Sequence, residues 1–142
     1  MDPLSVAASA IAISQAVTGG LNILQTLHQA PAEIHSLMND ISDLRVVIQE
    51  IHKTLSHFAD SNNASVNSFQ GLRELFDRAN SKLVELNQIV RLKLIPGNES
   101  GERRPSLTRI RWLREKPRVR KIQKELTELK LSIGTLFGAA TS

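Results

Sequence analysis

Four histidines, His28, His35, His52 and His57, are the side chains best suited to hold a metal or relay a proton. Metal ligands on a helix stand three or four residues apart so that they share a face, and a carboxylate usually joins them. His52 and His57 are five apart, and Pro31 separates His28 from His35. That spacing predicts no metal site. The chain has no cysteine, which excludes a disulfide framework and a zinc–thiolate centre. Gly19-Gly20 lacks the lysine spacing of a phosphate loop, and no serine nucleophile motif is present. The acids are scattered along polar helix faces. The expectation is therefore a protein that is not an enzyme, with no cofactor and no small-molecule substrate. Trp112 is expected as an end-cap of the fold rather than a substrate platform.

Two other patterns bear on association. From Arg103 to Lys124 lie ten basic residues opposed only by Glu115, a local +9 in a chain whose net charge is +4. Eight of them, Arg109, Arg111, Arg114, Lys116, Arg118, Arg120, Lys121 and Lys124, form a candidate patch for anionic lipid or an acidic partner. Each base near an anionic bilayer contributes about 1 kcal/mol at best. Nucleic acid fits less well, because only Trp112 is on hand for stacking and no recognition-helix motif appears.

The second pattern is an N-terminal stretch, Pro3 to Ala32, without a fixed charge. Within it Ala8, Ala12, Ala16 and Gly20 recur every four residues, a spacing that lets helix backbones approach closely. This is the candidate assembly or membrane-insertion helix. It is either a central core helix or one that leaves the fold for a membrane or an oligomer. Its serines, Gln15, Thr18, Asn22, Gln25 and Thr26 make it a poor transmembrane inserter. With Asp2 as the only early charge, a cleaved secretory signal is not expected. The expected location is cytoplasmic, with recruitment to a membrane as the added possibility.

Regular helices must position these groups. Apolar residues alternate at three and four in four segments. Val6, Ala10, Ile13, Val17, Gly20, Leu24 and Leu27 form the first stripe. The second runs Ile34, Leu37, Ile41, Leu44, Ile48, Ile51, Leu55 and Phe58, and the third runs Phe69, Leu72, Phe76, Ala79, Leu83, Leu86 and Val90. The fourth carries Val119, Ile122, Leu126, Leu129, Ile133 and Leu136. Asp2 with Pro3, Pro31, Ser65 and Ser106 read as starts, residues 59–65 as a polar turn, and Gly138 as a stop. The prediction is one all-α domain over 1–142, an antiparallel four-helix bundle. Helices are expected at about 3–29, 32–58, 66–94 and 107–138, with a basic loop at 95–106 and the last helix preceded by a short helix or a kink at Pro117.

The opening Met-Asp-Pro-Leu-Ser-Val-Ala-Ala-Ser-Ala-Ile-Ala-Ile, Gly19-Gly20, the Ile41-Ser-Asp-Leu44 stretch, and Arg111-Trp-Leu113 followed by Ile122, Leu126, Lys130 and Leu131 resemble a fungal family. It is the HeLo-like N-terminal domain of fungal STAND proteins, the NOD-like receptors, also labelled as the N-terminal domain of an azaphilone-pigment cluster protein. The resemblance spans essentially the whole chain. It implies a helical bundle placed before a nucleotide-binding or ankyrin-repeat region, self-associating or docking another helical protein. Heterokaryon incompatibility, programmed cell death and immune-like signal transduction are the settings it implies. Some HeLo-like domains permeabilise membranes through a glycine-zipper-like first helix. The matching positions here are Ala8, Ala12, Ala16 and Gly20, of which three are alanine.

Overall fold

The computed structural model describes residues 3–25, 31–61, 70–94 and 109–141. It shows four helices, α1 (Pro3–Gln25), α2 (Ala32–Ser61), α3 (Gln70–Ile89) and α4 (Arg109–Thr141), with a π-helical turn at Val90–Leu94 extending α3. No strand occurs among the described residues. The expected caps at Asp2, Ser65 and Ser106, the loop 95–106, and Leu27 and Phe69 lie outside the described residues, as do the side chains of Val6 and Phe58.

The stripes become the core. All seven described members of the α2 stripe, Ile34 to Leu55, are at most 1% exposed. Facing them are Ile13, Val17 and Leu24 of α1, Leu72, Phe76, Leu83 and Leu86 of α3, and Val119, Ile122, Leu126 and Ile133 of α4. No polar or charged residue is buried among the described residues. Each helix sets one apolar face inward and satisfies its backbone internally, so the interior is a dry hydrocarbon contact.

The helix order around the bundle differs from a simple antiparallel ring. α1 packs on α2 and α3, and α4 packs on α3 and α2, while α1 does not reach α4 and α2 does not reach α3. Side-chain registers give the directions. Ser9 bonds Asp77 and Ala16 bonds Asn87, so α1 and α3 run parallel. Glu33 pairs with Lys116 and Asp40 with Gln123, so α2 and α4 also run parallel. Lys82 with Glu125 and Arg118 with Glu85 make α3 and α4 antiparallel. Consecutive helices do alternate in direction, but two antiparallel hairpins lie side by side with α2 and α3 on the diagonal.

Three boundaries also differ from expectation. α2 continues through residues 59–61 because no Gly or Pro interrupts its hydrogen bonding there. α4 runs through Gly138 to Thr141. Most plainly, Pro117 opens no separate helix: it lies inside α4, with buried Trp112 before it and buried Val119 after it. Core burial on both sides holds the chain helical across a residue that cannot donate its own hydrogen bond. At the start of α2, the Pro31 carbonyl accepts from the backbone N–H groups of Ile34 at 3.0 Å and His35 at 3.5 Å, as expected of a helix beginning there.

Candidate functional site: an exposed basic face on α4

The eight candidate bases on α4 do not act as one patch. Lys116 is half-buried and donates to Glu33 at 3.0 Å, tying α4 to the first turn of α2. The Trp112 indole, one turn earlier, adds slightly to Lys116 in holding the Glu33 carboxyl below its ordinary range. Trp112 is 6% exposed, so it is a core residue. Arg118 turns the other way and meets Glu85 of α3 at 3.4 Å. Lys116 and Arg118 thus fasten α4 to its two neighbours.

The remaining bases are exposed. Arg109, Arg114, Arg120, Lys121 and Lys124 make no ion pair among the described residues, and Arg111 is exposed on the same segment. At 3.6 residues per turn, Arg114, Pro117, Arg120, Lys121 and Lys124 fall on the side opposite Trp112, Val119, Ile122 and Leu126. Ile110 and Leu113 share that outward side at 72% and 55% exposure. Apolar contact and cationic hydrogen bonding are therefore available on one surface. Arg103 and Arg104 lie outside the described residues.

The small residues of α1 do not share a face. Ala8 and Ala12 are exposed, Ala16 is half-buried, and Gly20 is buried. Steps of four advance by about 400°, so the row drifts about 40° at each step from solvent into the core. Nor is α1 central: it is a corner helix, with Ile11 46% exposed. Beside it a cleft of about 520 Å³ is lined by Ile11, Ser14, Gln15, Thr18, Gln49 and His52. Among the described residues, no helix is long and apolar enough to cross a membrane.

The groups able to do acid–base chemistry stand apart. His35 and His57 are exposed, His52 is half-buried, and His28 lies outside the described residues. No group of three or more metal-ligating side chains gathers among the described residues. The closest ion pair among the described residues, Lys82 to Glu125 at 2.6 Å, sits in the α3–α4 cleft. Lys82 holds the Glu125 carboxyl below its ordinary range, and Glu125 raises the Lys82 ammonium above its own. Both stay charged at neutral pH, which suits bracing and opposes the poised pKa that proton transfer needs.

What the sequence pattern did not reveal is the division of labour among the bases and the acidic residues facing them. Asp43 and Glu50 are exposed on α2, and Glu128 is exposed on α4. Comparison with models of protein families, with curated proteins and with solved structures returns no match.

Proposed function

We propose that the chain is a non-enzymatic signalling module that acts by association, with itself or with another helical protein. It would do so as the N-terminal domain of a fungal NOD-like-receptor-type protein in self/non-self or immune-like signalling, in the cytoplasm. One observation carries the associative reading. A bundle whose core is apolar among the described residues presents, on the outward side of α4, the exposed Arg109 and Arg114, which make no ion pair among the described residues, beside exposed Ile110 and Leu113. Exposed apolar groups beside unpaired charge mark surfaces made for contact. The receptor setting rests on the sequence resemblance at the opening segment and around Trp112.

Sedimentation velocity over a wide concentration range tests the reading. The expected result is reversible association that weakens with salt, because exposed charges are screened. A species that stays monomeric at high concentration and captures no helical protein from a fungal extract overturns it.

A second reading is a HeLo-like cell-death effector that permeabilises membranes with α1, recruited by the same bases. The absence of charge from α1 and the pairing of Ile110 and Leu113 with arginines favour it. It predicts dye release from anionic liposomes, abolished by Ala12→Glu. Ala12 is exposed, so that change leaves the core intact. Intact liposomes in the presence of wild-type protein exclude this reading.

A further inference from the structure

α4 carries two rows of the same period on opposite sides. The inner row, Val119, Ile122, Leu126, Leu129 and Ile133, is buried. The outer row runs Ile110, Arg114, Pro117, Lys121, Lys124, Glu128 and Leu131, alternating four and three without a break. All seven of its members are exposed. That alternation keeps side chains in one nearly straight line, and it is the line that a second helix laid alongside would meet. The row begins and ends on large aliphatic side chains: Ile110, with Leu113 beside it, and Leu131, which is 64% exposed. Its ends are about 32 Å apart at 1.5 Å per residue.

Between these apolar ends the row is charged. Arg114, Lys121 and Lys124 stand against one acid, Glu128, and Arg120 flanks them. None of these five makes an ion pair among the described residues. Lys121 lies near Glu125, but that carboxylate is held by Lys82 at 2.6 Å. This order of groups selects the occupant. A second copy of the same row brings one acid to four bases, so like charges meet. An anionic bilayer accepts the bases but repels Glu128, and it finds aliphatic side chains only at the two ends of the row. Nucleic acid leaves Ile110, Leu113 and Leu131 without apolar contact. A helix from another protein can match the row position by position, with apolar ends, carboxylates opposite the bases and a base opposite Glu128.

We infer that the outer row of α4 is a docking seam for an acidic amphipathic helix of a different protein. This rests on the associative reading above and names its surface and the chemistry of its partner. The carboxylates select the partner and speed the encounter, while Ile110, Leu113 and Leu131 supply the apolar burial that holds it.

The test is binding of a designed helical peptide, read by fluorescence anisotropy. The peptide has about four heptads. Its seam carries leucine at both ends, glutamate opposite Arg114, Lys121 and Lys124, and lysine opposite Glu128, and it is made in both chain directions. A control peptide has the same composition with its glutamates moved to the opposite face. The expected result is that wild type binds one seam peptide about tenfold or more tightly than the control. Arg114→Gln with Lys121→Gln should lose that preference, and Leu131→Ser should weaken binding several-fold at high salt, where charge attraction is screened. All three positions are exposed, and circular dichroism melts check folding. Should the double variant fail to fold, Lys124→Gln replaces it. Equal binding of seam and control peptides, or binding unchanged in every variant, overturns the seam; if wild type still self-associates in sedimentation, the associative reading stands. A wild type that stays monomeric and binds no peptide overturns this inference and self-association together. Protein that pellets with anionic vesicles but ignores the peptides assigns the bases to a bilayer and also overturns it.

Discussion

Asn87 of α3 fills the space that a side chain on Gly20 of α1 would need. Its Oδ1 lies 2.7 Å from the position of a Cβ built on Gly20, and its Nδ2 donates to the Ala16 carbonyl at 3.4 Å. Gly19, one residue earlier, has nothing within 4 Å of the same position. Adjacent glycines in one helix therefore answer to different forces. Gly19→Ala should stabilise by about 0.5–1 kcal/mol through helix propensity alone. Gly20→Ala should gain nearly nothing, because the same propensity is offset by pushing the Asn87 amide off α1, a hydrogen bond contributing about 0.5–1.5 kcal/mol. In an Asn87→Ala background the offset disappears, and Gly20→Ala should then stabilise like Gly19→Ala. Urea unfolding of the four chains closes the cycle, and additivity at Gly20 and Asn87 would refute the contact.

The charged braces make stability pH-dependent in known directions. The Lys116 ammonium, helped by Glu33's own backbone N–H and by Trp112, holds the Glu33 carboxyl below its ordinary range. Lys82 does the same to Glu125. A depressed carboxyl stabilises the fold above its unfolded pKa, and the contribution is lost as pH falls through the folded value. Lys82, raised chiefly by Glu125, works in the opposite sense: its contribution is full below the ordinary lysine pKa and lost as pH rises through the folded value. Urea midpoints should therefore form a plateau through neutrality and fall on both the acid and alkaline sides. Lys116→Met should flatten part of the acid fall and leave the alkaline one, while Lys82→Met should flatten both. These groups are solvent-screened, so the changes are modest.

Burial separates two apolar residues that composition treats alike. Phe76 is 0% exposed and among the largest fully buried side chains, whereas Val46 is 56% exposed. Phe76→Ala should destabilise by about 3–5 kcal/mol through lost transfer energy and a residual cavity. Val46→Ala should stay within about 0.5 kcal/mol. Chemical denaturation of the monomer measures both, and a large loss at Val46 would mean that the α2 surface is covered.

Much of this was written in the residues, and the remainder has identifiable reasons for being hidden. Alternation at three and four named Ile34 to Leu55 as core, because a helix turns by a fixed angle and burial follows that angle. The same periodicity says which face is apolar but not which neighbour covers it, so the diagonal placement of α2 and α3 was out of reach. Counting bases located the charged segment. It did not separate Lys116 and Arg118, held by Glu33 and Glu85, from Arg114 and Lys121, because those acids come from elsewhere in the chain. The row from Ala8 to Gly20 looked like a single face only because steps of four were treated as whole turns.

Pro117 gives the sharpest remaining check. It has no N–H to offer the Leu113 carbonyl, and its ring crowds that oxygen. A proline inside a helix costs about 3 kcal/mol relative to alanine. Here it is exposed, so the freed carbonyl can turn to water and recover part of that. Pro117→Ala should therefore stabilise the bundle by about 1–3 kcal/mol, since α4 is continuous from Arg109 to Thr141 and the new N–H meets a waiting acceptor. Amide hydrogen exchange should show protection at residue 117 equal to that at Val119. Were Pro117 instead the first residue of its own helix, its amide would have no partner, the same substitution would leave stability unchanged or lower, and residue 117 would exchange freely.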